Sequence, residues 1–327
     1  MIISRTPFRI SFAGGGSDMP AFYHREVGAV LSSSIDKYMY IAVHPFFDKN
    51  KIQLKYSKTE LVDHIEDIKH PIFREVLSMY NLKGVDLNSI ADIPAGTGLG
   101  SSSSFTVGLL NAVRAYIGKA TSGEKLGKLA CEIEIEKVGS PIGKQDQYAA
   151  ACGGLNFITF YPDEIVNIEK IIMNSETKKQ LDENLIMVYV GGKHSANEIL
   201  KEQQSGFHEE RKFETQKQMV QLAYQLKSSL ESNNIDDFGY YLHEGWLMKR
   251  SLSNGITNDN VDDLYQKGLK AGALGGKLLG AGGAGFILFY CPKEKQKEFF
   301  DEMDDIKVMP FSFDYFGSKI IYVGDKF

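Results

Sequence analysis

The chain has 327 residues, of which 43% are hydrophobic and 24% charged, a composition typical of a globular protein with one large or two medium domains. Its net charge of -5 argues against a nucleic-acid-binding protein, and no apolar run approaches the roughly 20 residues of a membrane-spanning helix. Three widely separated cysteines, which lack metal-ligand spacing, indicate a reducing cytoplasm without disulfides.

The first half of the chain begins with strand patterns and continues with helical ones. Alternating, β-rich runs predict strands at IISRTPFRISFA, SSIDKYMYIAVHPF and KIQLKYS, and residues 71–82 fit a helix. Two amphipathic helices are predicted next, over FTVGLLNAVRAYI and over SGEKLGKLACEIEIEKVG. In the second of these, Ser122 is the predicted N-cap and Gly139 the predicted stop.

The second half of the chain is predicted to contain strands at GGLNFITFYP and ENLIMVYVGG, a long helical region from about 195 to 250, a buried strand after GALGGKLLGAGG, and a last strand at KIIYVG. Strands and helices are interleaved without a regular βαβ rhythm, so the predicted fold class is α+β. A shift in composition near 165–185 suggests a division into domains 1–175 and 176–327.

The stretch DIPAGTGLGSSSSFTV, which begins at residue 92, predicts a phosphate site. Pro94 ends the preceding strand, and the glycines that follow permit unusual torsions and the close approach of a ligand. The four serines then open a helix, whose first N–H groups and dipole favour an anion. A solvent-exposed turn with serine caps is the alternative. The turn lacks the Gly-Lys-Ser/Thr ending of a Walker A loop.

Three motifs together resemble those of the GHMP kinase superfamily, which includes galactokinase, homoserine kinase, mevalonate kinase and phosphomevalonate kinase. They are PFRISFAGGGSD, PAGTGLGSSSS and KLLGAGGAGF, in the family's order and spacing over nearly the whole chain. The resemblance implies an N-terminal domain like domain 2 of ribosomal protein S5 and a ferredoxin-like C-terminal domain. It also implies transfer of the γ-phosphoryl group of ATP, with Mg2+, to a small molecule.

RTPFRISFAGGGSD and GKQDQYAAACGG narrow the resemblance to the sugar kinases of this family that act on heptose phosphate and on fucose. They imply a sugar phosphate as substrate, phosphorylated on the anomeric hydroxyl of a heptose 7-phosphate. L-fucose or galactose is the alternative acceptor, and a homodimer is a further expectation. A protein of this fold that only senses nucleotide or sugar is a third hypothesis. The chain departs from the subfamily at Ala284, where glycine is common.

The same resemblance implies the catalytic and metal-binding residues. Asp146 matches the catalytic aspartate that takes the hydroxyl proton, and Arg9 matches the basic residue of the first motif. A helix-capping aspartate and a surface arginine are the alternatives. For magnesium, Ser102 matches the metal-contacting serine. Helical periodicity does not choose among the three glutamates of CEIEIEKVG, and the family motif selects Glu134; a solvated helix face is the alternative.

The resemblance also implies the residues that bind nucleotide and sugar. The turn and helix start expected to hold the ATP phosphates comprise Pro94, Gly96, Gly98, Leu99, Gly100, Ser101, Ser102 and Ser103. The residues expected to bind the acceptor are Gly15, Gly16, Ser17, Asp18, Lys193, Gly282 and Gly283.

Two of these predictions concern charge. Asp18 matches the sugar-binding acid of the family, with a capping aspartate as the alternative. Lys193 and His194 lie at a glycine turn before a predicted helix, where a cation can hold the phosphate of the sugar. Lys249 and Arg250 are the second candidate pair for that phosphate, and either pair can instead be exposed surface.

Overall fold

The computed structural model describes residues 1–192, 196–303 and 306–324. Over these residues the chain forms thirteen strands: β1 (Ile2–Ala13), β2 (Gly28–Pro45), β3 (Ile52–Lys55), β4 (Thr59–Val62), β5 (Val85–Ala91), β6 (Leu155–Phe160), β7 (Val166–Lys170), β8 (Leu185–Gly191), β9 (Gly275–Leu278), β10 (Gly285–Tyr290), β11 (Val308–Met309), β12 (Phe313–Asp314) and β13 (Lys319–Val323).

The same residues form eleven α-helices: α1 (Pro20–Tyr23), α2 (Pro71–Tyr80), α3 (Ser101–Tyr116), α4 (Gly123–Cys131), α5 (Gln145–Cys152), α6 (Ser175–Asn184), α7 (Ala196–Gly206), α8 (Glu210–Glu231), α9 (Phe238–Arg250), α10 (Asp259–Lys270) and α11 (Gln296–Glu302). A wide π turn over Glu132–Lys137 continues α4. None of the helices in the described part of the chain has the length and apolar character to cross a bilayer.

The larger of two sheets has nine strands and is organised around β1 and β2, which pair antiparallel along their length. Alternating apolar residues of β1, such as Phe8, Ile10 and Phe12, are fully buried beneath the helices. The pairing of β1 with β2 shifts register twice, between Pro7 and Phe8 and again between Ser11 and Ala13. Bulges of this kind re-aim side chains, and the segment between these two shifts carries Arg9.

The smaller sheet has four strands in the order β11-β8-β10-β9. Its core is separate from that of the larger sheet and is formed with α9, α10 and α11 around Trp246, Tyr265 and Phe289. This arrangement of two mixed layers confirms the α+β prediction. The last two strands belong to the larger sheet, where β12 pairs with β2 and β13 pairs with β1. We therefore propose a domain division near residue 175, with the segment from residue 313 returning to the first domain.

Several local predictions can be compared with the elements. The predicted strand at the N terminus, the helix from residue 71 and the final strand are confirmed by β1, α2 and β13. Ser122 caps α4, since its hydroxyl accepts a hydrogen bond from the N–H of Lys125 at 3.3 Å. The helical region predicted from about 195 to 250 is divided into α7, α8 and α9.

Candidate active site

The glycine-rich turn before α3 has the backbone that the sequence predicts. Gly96, Gly98 and Gly100 all have positive φ, of 81°, 82° and 73°, a region that side chains disfavour. The hydroxyl of Thr97 donates to the carbonyl of Pro94 at 3.1 Å and holds the turn from within. The serines follow directly, so the turn leads into the N terminus of a sixteen-residue helix with unpaired N–H groups.

The turn of the third motif supports this loop through direct backbone contact. A Cβ on Gly98 would lie 2.5 Å from the carbonyl oxygen of Leu279, and one on Gly280 would lie 2.3 Å from the Cα of Gly98. Side chains at these positions would push the two turns apart. Gly282 and Gly283 lie farther along, where the N–H of Gly283 donates to the carbonyl of Ile256 at 2.9 Å. The third motif thus connects the smaller unit to the phosphate turn.

Arg9 and Asp146 form a bidentate ion pair in the centre of the site. Arg9 Nε and Nη2 donate to the two carboxylate oxygens of Asp146, each at 2.7 Å, and Nη1 donates to the carbonyl of Gly98 at 2.7 Å. Arg9 is buried, whereas the side chain of Asp146 keeps 23% of its surface exposed. Asp146 follows the N-cap position of α5, which is occupied by Lys144, so its carboxylate does not cap that helix.

Glu134 is buried behind the phosphate turn and receives three hydrogen bonds. Ser102 Oγ donates to Oε1 at 2.7 Å, while Ser103 Oγ and Gln147 Nε2 each donate to Oε2 at 2.8 Å. Burial raises the pKa of this carboxyl above its ordinary value, and the three donors oppose that rise. Its neighbour Glu136 is exposed. The π turn is the reason why regular helical periodicity does not single out Glu134.

The chemistry of this cluster fits a magnesium ion. Ser102 is exposed toward the turn and shares its hydroxyl with the Glu134 carboxylate, so both offer hard oxygen donors at one place. Within residues 1–192, 196–303 and 306–324, no three His, Cys, Asp or Glu side chains are grouped so as to hold a metal. A site with two protein oxygens is nevertheless typical of Mg2+, which keeps waters and substrate phosphates as its other ligands.

The first motif turns Asp18 inward, against the start of α5. Its Oδ1 accepts from the N–H of Gly16 and from Gln145 Nε2, both at 2.9 Å, and its Oδ2 accepts from the N–H of Gln145 at 3.1 Å. Asp18 is 2% exposed, and burial, with a contribution from Asp146, raises its pKa. Ser17 is completely buried, with its hydroxyl donating to the carbonyls of Gly14 and Ala29. Ser17 therefore holds the glycine turn in shape.

Three consecutive residues at the start of α5 each hold a different part of the site. Gln145 contacts Asp18, Asp146 contacts Arg9, and Gln147 contacts Glu134. The sequence prediction contains the middle residue but neither glutamine. The only signal for them was their position beside Asp146 in GKQDQ, and nothing in that pattern says what a glutamine contacts.

Two polar groups near Gly15 have no hydrogen-bond partner among the described residues: Ser11 Oγ and Gln145 Oε1 are buried and unpaired. A Cβ on Gly15 would lie 3.5 Å from Ser11 Oγ and 3.8 Å from Gln145 Oε1, so both groups lie beside the same glycine. Ser11 is two residues along β1 from Arg9 and shares its face of the sheet. Both groups therefore have hydrogen-bonding capacity that no described residue uses.

The candidates for a phosphate cation are separated by the structure. Lys193 and His194 lie outside the described residues. Lys249 is buried and its Nζ donates to the carbonyls of Leu278 and Gly280, whereas Arg250 forms an ion pair at 2.7 Å with Asp262 of α10. The predicted pair is therefore split, and only Lys249 faces the site.

This fold and this site together define a family. The family model for the N-terminal domain of GHMP kinases matches residues 65–154, and the model for their C-terminal domain matches residues 226–305, together just over half of the chain. The chain belongs to the GHMP kinases, which are ATP-dependent phosphotransferases.

Individual relatives cover almost the whole chain. A D-glycero-alpha-D-manno-heptose 7-phosphate kinase from Campylobacter jejuni is 27% identical over 90% of this chain and 91% of its own length. A galactokinase from Pyrococcus furiosus is 24% identical over 90% of each chain. The crystal structure of a D-glycero-D-manno-heptose 1-phosphate kinase from Bacteriodes thetaiotaomicron superposes with a TM-score of 0.82, covering 99% of this chain and 100% of that one at 24% identity. The last comparison confirms the two-domain fold.

Proposed function

We propose that this protein transfers the γ-phosphoryl group of ATP to the anomeric hydroxyl of D-glycero-alpha-D-manno-heptose 7-phosphate, giving the 1,7-bisphosphate. The observation that carries the proposal is the Arg9–Asp146 pair, whose partly exposed carboxylate lies beside the phosphate turn. The 27% identity to the heptose 7-phosphate kinase over nine-tenths of both chains supports this acceptor.

The reaction is a displacement at phosphorus. The anomeric oxygen attacks the γ-phosphorus, a new P–O bond forms as the bond to the β,γ-bridging oxygen breaks, and ADP leaves. Asp146 accepts the proton of the attacking hydroxyl through its exposed edge. Arg9 orients that carboxylate through two hydrogen bonds and, through its third, ties it to the turn at Gly98. The first N–H groups of α3 stabilise the charge on the phosphates.

Magnesium, when bound, neutralises charge on the phosphates and orients them for transfer. We assign its protein oxygens to Ser102 and Glu134. Ser103 and Gln147 orient the carboxylate of Glu134 from behind and keep it in place when Ser102 turns toward an ion.

We place the sugar hydroxyls beside Gly15. Ser11 Oγ and Gln145 Oε1 are the unpaired buried groups there, and each has hydrogen-bonding capacity left for a hydroxyl. In this arrangement Asp18 fixes the side chain of Gln145 and so acts behind the sugar site. Gln145 also precedes Asp146 in the chain, which keeps the proposed sugar site next to the proposed base.

A coupled assay of ADP release over a panel of acceptors tests the proposal. The panel contains heptose 7-phosphate, heptose 1-phosphate, unphosphorylated heptose, L-fucose, galactose and mevalonate, each with ATP and Mg2+. Heptose 7-phosphate should give the highest kcat/KM, with the unphosphorylated heptose about 10²–10⁴-fold lower, because an unfilled cationic site leaves charged groups unpaired. The heptose 1-phosphate has its anomeric oxygen blocked and should be inert. A higher kcat/KM for fucose or galactose than for every heptose phosphate would refute this acceptor.

A further inference from the structure

Two lysine ammonium groups are buried beside the site without a counter-ion. Lys249 is 8% exposed and Lys277 is 5% exposed. Among the described residues neither lysine forms an ion pair, and their hydrogen-bond partners are main-chain carbonyls. A buried charge without a carboxylate is costly, because carbonyl dipoles replace only part of the lost hydration.

The two side chains come from different elements and converge on the junction of the two units. Lys249, in the last turn of α9, donates to the carbonyls of Leu278 and Gly280, where β9 runs into the glycine turn of the third motif. Lys277, in β9, reaches across to β1 and donates to the carbonyl of Phe12 at 3.0 Å. Lys277 thus contacts the strand that carries Arg9, and Lys249 contacts the turn that lies against Gly98.

The charges of this cluster do not balance. Asp146 neutralises Arg9 in the bidentate pair, so no carboxylate among the described residues is left to neutralise the two lysines when they are protonated. A purely structural clamp between β1, β9 and α9 would not require charged groups, since polar uncharged side chains can bond carbonyls at a lower cost of burial. Buried ionisable groups without a charged partner lower stability, and proteins keep such groups mainly at functional sites.

We propose that Lys249 and Lys277 form a second cationic site, behind the Arg9–Asp146 pair, which stabilises a phosphate group of a ligand bound in the cleft. This proposal rests on the proposed function, because it needs a phosphorylated ligand there. The phosphate has two sources, the γ-phosphate of ATP or the phosphate that the acceptor already carries. In a site of low dielectric, fixed positive charge attracts phosphate strongly.

The protonation of Lys249 gives this proposal a measurable signature. Burial, and then the positive charge of Arg9, lowers the pKa of Lys249 to about 7. Burial, Lys249 and Arg9 also lower the pKa of Lys277. Among the elements packed on α9, α10 presents Asp262, which pairs with Arg250, and Tyr265, which hydrogen-bonds His243; α8 and β10 contact α9 through Leu222 at Gly245 and Tyr290 at Gly239. A phosphate that binds nearby favours the charged form, so Lys249 should take up a proton when it binds.

The test is calorimetric titration at pH 7 in two buffers of different ionisation enthalpy. The ligands are the β,γ-imido analogue of ATP, ADP, and heptose 7-phosphate, each with Mg2+. For the full-length protein we expect at least about half a proton taken up per site with the ligand whose phosphate reaches the cluster, half a proton from Lys249 at pH 7 and any remainder from Lys277. Uptake with the imido analogue but not ADP identifies the γ-phosphate, and uptake with the sugar phosphate identifies the acceptor. Equal uptake with ADP and the analogue, and none with the sugar phosphate, would refute the assignment.

Three variants separate charge from structure. Lys249→Met should reduce the uptake by the share of Lys249 and lower kcat/KM by about 10–100-fold. Lys249→Arg keeps the charge but cannot titrate near neutrality, so it should also lose the uptake of Lys249 and keep more of the turnover. The matched control is Lys170→Met, which also removes a lysine that donates to two carbonyls, those of Cys152 and Gly153, but at the far end of α5; it should keep both uptake and turnover.

Uptake that is undiminished in Lys249→Arg refutes the proposal, even if Lys249→Met does not fold. Absence of uptake in the unmodified protein with all three ligands, while it still releases ADP from ATP, also refutes it and leaves the proposed function intact. Absence of ADP release with every acceptor refutes the proposed function instead.

Discussion

Two clusters of buried charge border the cleft, and their charges are compensated in opposite ways. On one side, the carboxylates of Asp18, Glu134 and Asp146 each receive at least two hydrogen bonds. Asp146 lies in the first turn of α5, and the other two carboxylates each receive a hydrogen bond from that turn. On the other side, Lys249 and Lys277 have carbonyl partners alone among the described residues.

The carboxylates are oriented by hydrogen bonds within the protein, whereas the lysines lack a charged partner. Each carboxylate has a fixed geometry in the protein as it stands, so its orientation does not depend on a ligand. The lysines have no carboxylate partner among the described residues, so a bound anion would favour their charged form. The predictions below perturb the first cluster and then the second.

The largest effect is expected from Asp146→Asn. The amide cannot accept the hydroxyl proton, so turnover should fall by about 10²–10⁴-fold. Nucleotide affinity, measured by calorimetry, should stay nearly unchanged because the base acts in the transition state. The control is Asp163→Asn, which changes an exposed aspartate in the turn between β6 and β7 and should keep full turnover. Near-normal turnover in Asp146→Asn would remove this residue from the mechanism.

Ser102→Ala and Glu134→Gln should each raise the magnesium concentration needed for half-maximal turnover, by about 10–100-fold, because each removes an oxygen from the same ion. Their effects should be non-additive in the double variant. Magnesium is titrated at fixed ATP, with the exposed neighbour Glu136→Gln as control. Additive losses with an unchanged magnesium requirement would contradict a shared site.

The two glutamines that flank Asp146 offer a matched pair. Gln147→Leu removes a donor from Glu134 and should raise the magnesium requirement by about tenfold while the KM for the acceptor stays the same. Gln145→Leu should do the reverse, raising the acceptor KM at an unchanged magnesium requirement. If both variants changed the same parameter, the division of labour along the first turn of α5 would be wrong.

The pKa of Glu134 predicts a pH effect on the metal site. Burial raises this pKa above 4.5, so on acidification the carboxylate is protonated at a higher pH than an ordinary glutamate. Magnesium requires the ionised form, and its affinity should therefore fall as the pH falls through that raised pKa. Titrations of magnesium by calorimetry with bound ADP, from pH 8 downward, should show a smaller pH dependence in Glu134→Gln than in the unmodified protein.

The smallest effect concerns stability. The pKa of Lys249 is about 7 in the folded protein and 10.5 when unperturbed, so between these values the unfolded chain binds more protons. Its contribution to the free energy of unfolding therefore rises with pH, by about 1 kcal/mol from pH 7.5 to 8.5. Urea unfolding of the unmodified protein and of Lys249→Met at both pH values measures the difference. An equal change in both proteins would contradict the buried, titrating lysine.

Local chemistry was predictable from the sequence, whereas contacts between distant segments were not. The turn from Pro94 and the start of α3 follow from residue types alone, since glycines and serines have restricted uses there. Arg9 and Asp146 were named only through the resemblance, and their ion pair spans 137 positions. Lys277 was missed because a lysine inside a glycine-rich motif carries no sign that it will be buried. The return of β13 to β1 likewise depends on pairing across the whole chain.

Phosphorus NMR of the product tests the central claim most directly. The protein is incubated with ATP, Mg2+ and heptose 7-phosphate, and the spectrum is followed as ADP accumulates. We predict a second sugar phosphate resonance coupled to the anomeric proton, in an amount equal to the ADP formed, and its absence with Asp146→Asn. Release of inorganic phosphate in place of that resonance, or a new phosphate that is coupled to another proton of the sugar and not to the anomeric proton, would contradict the account.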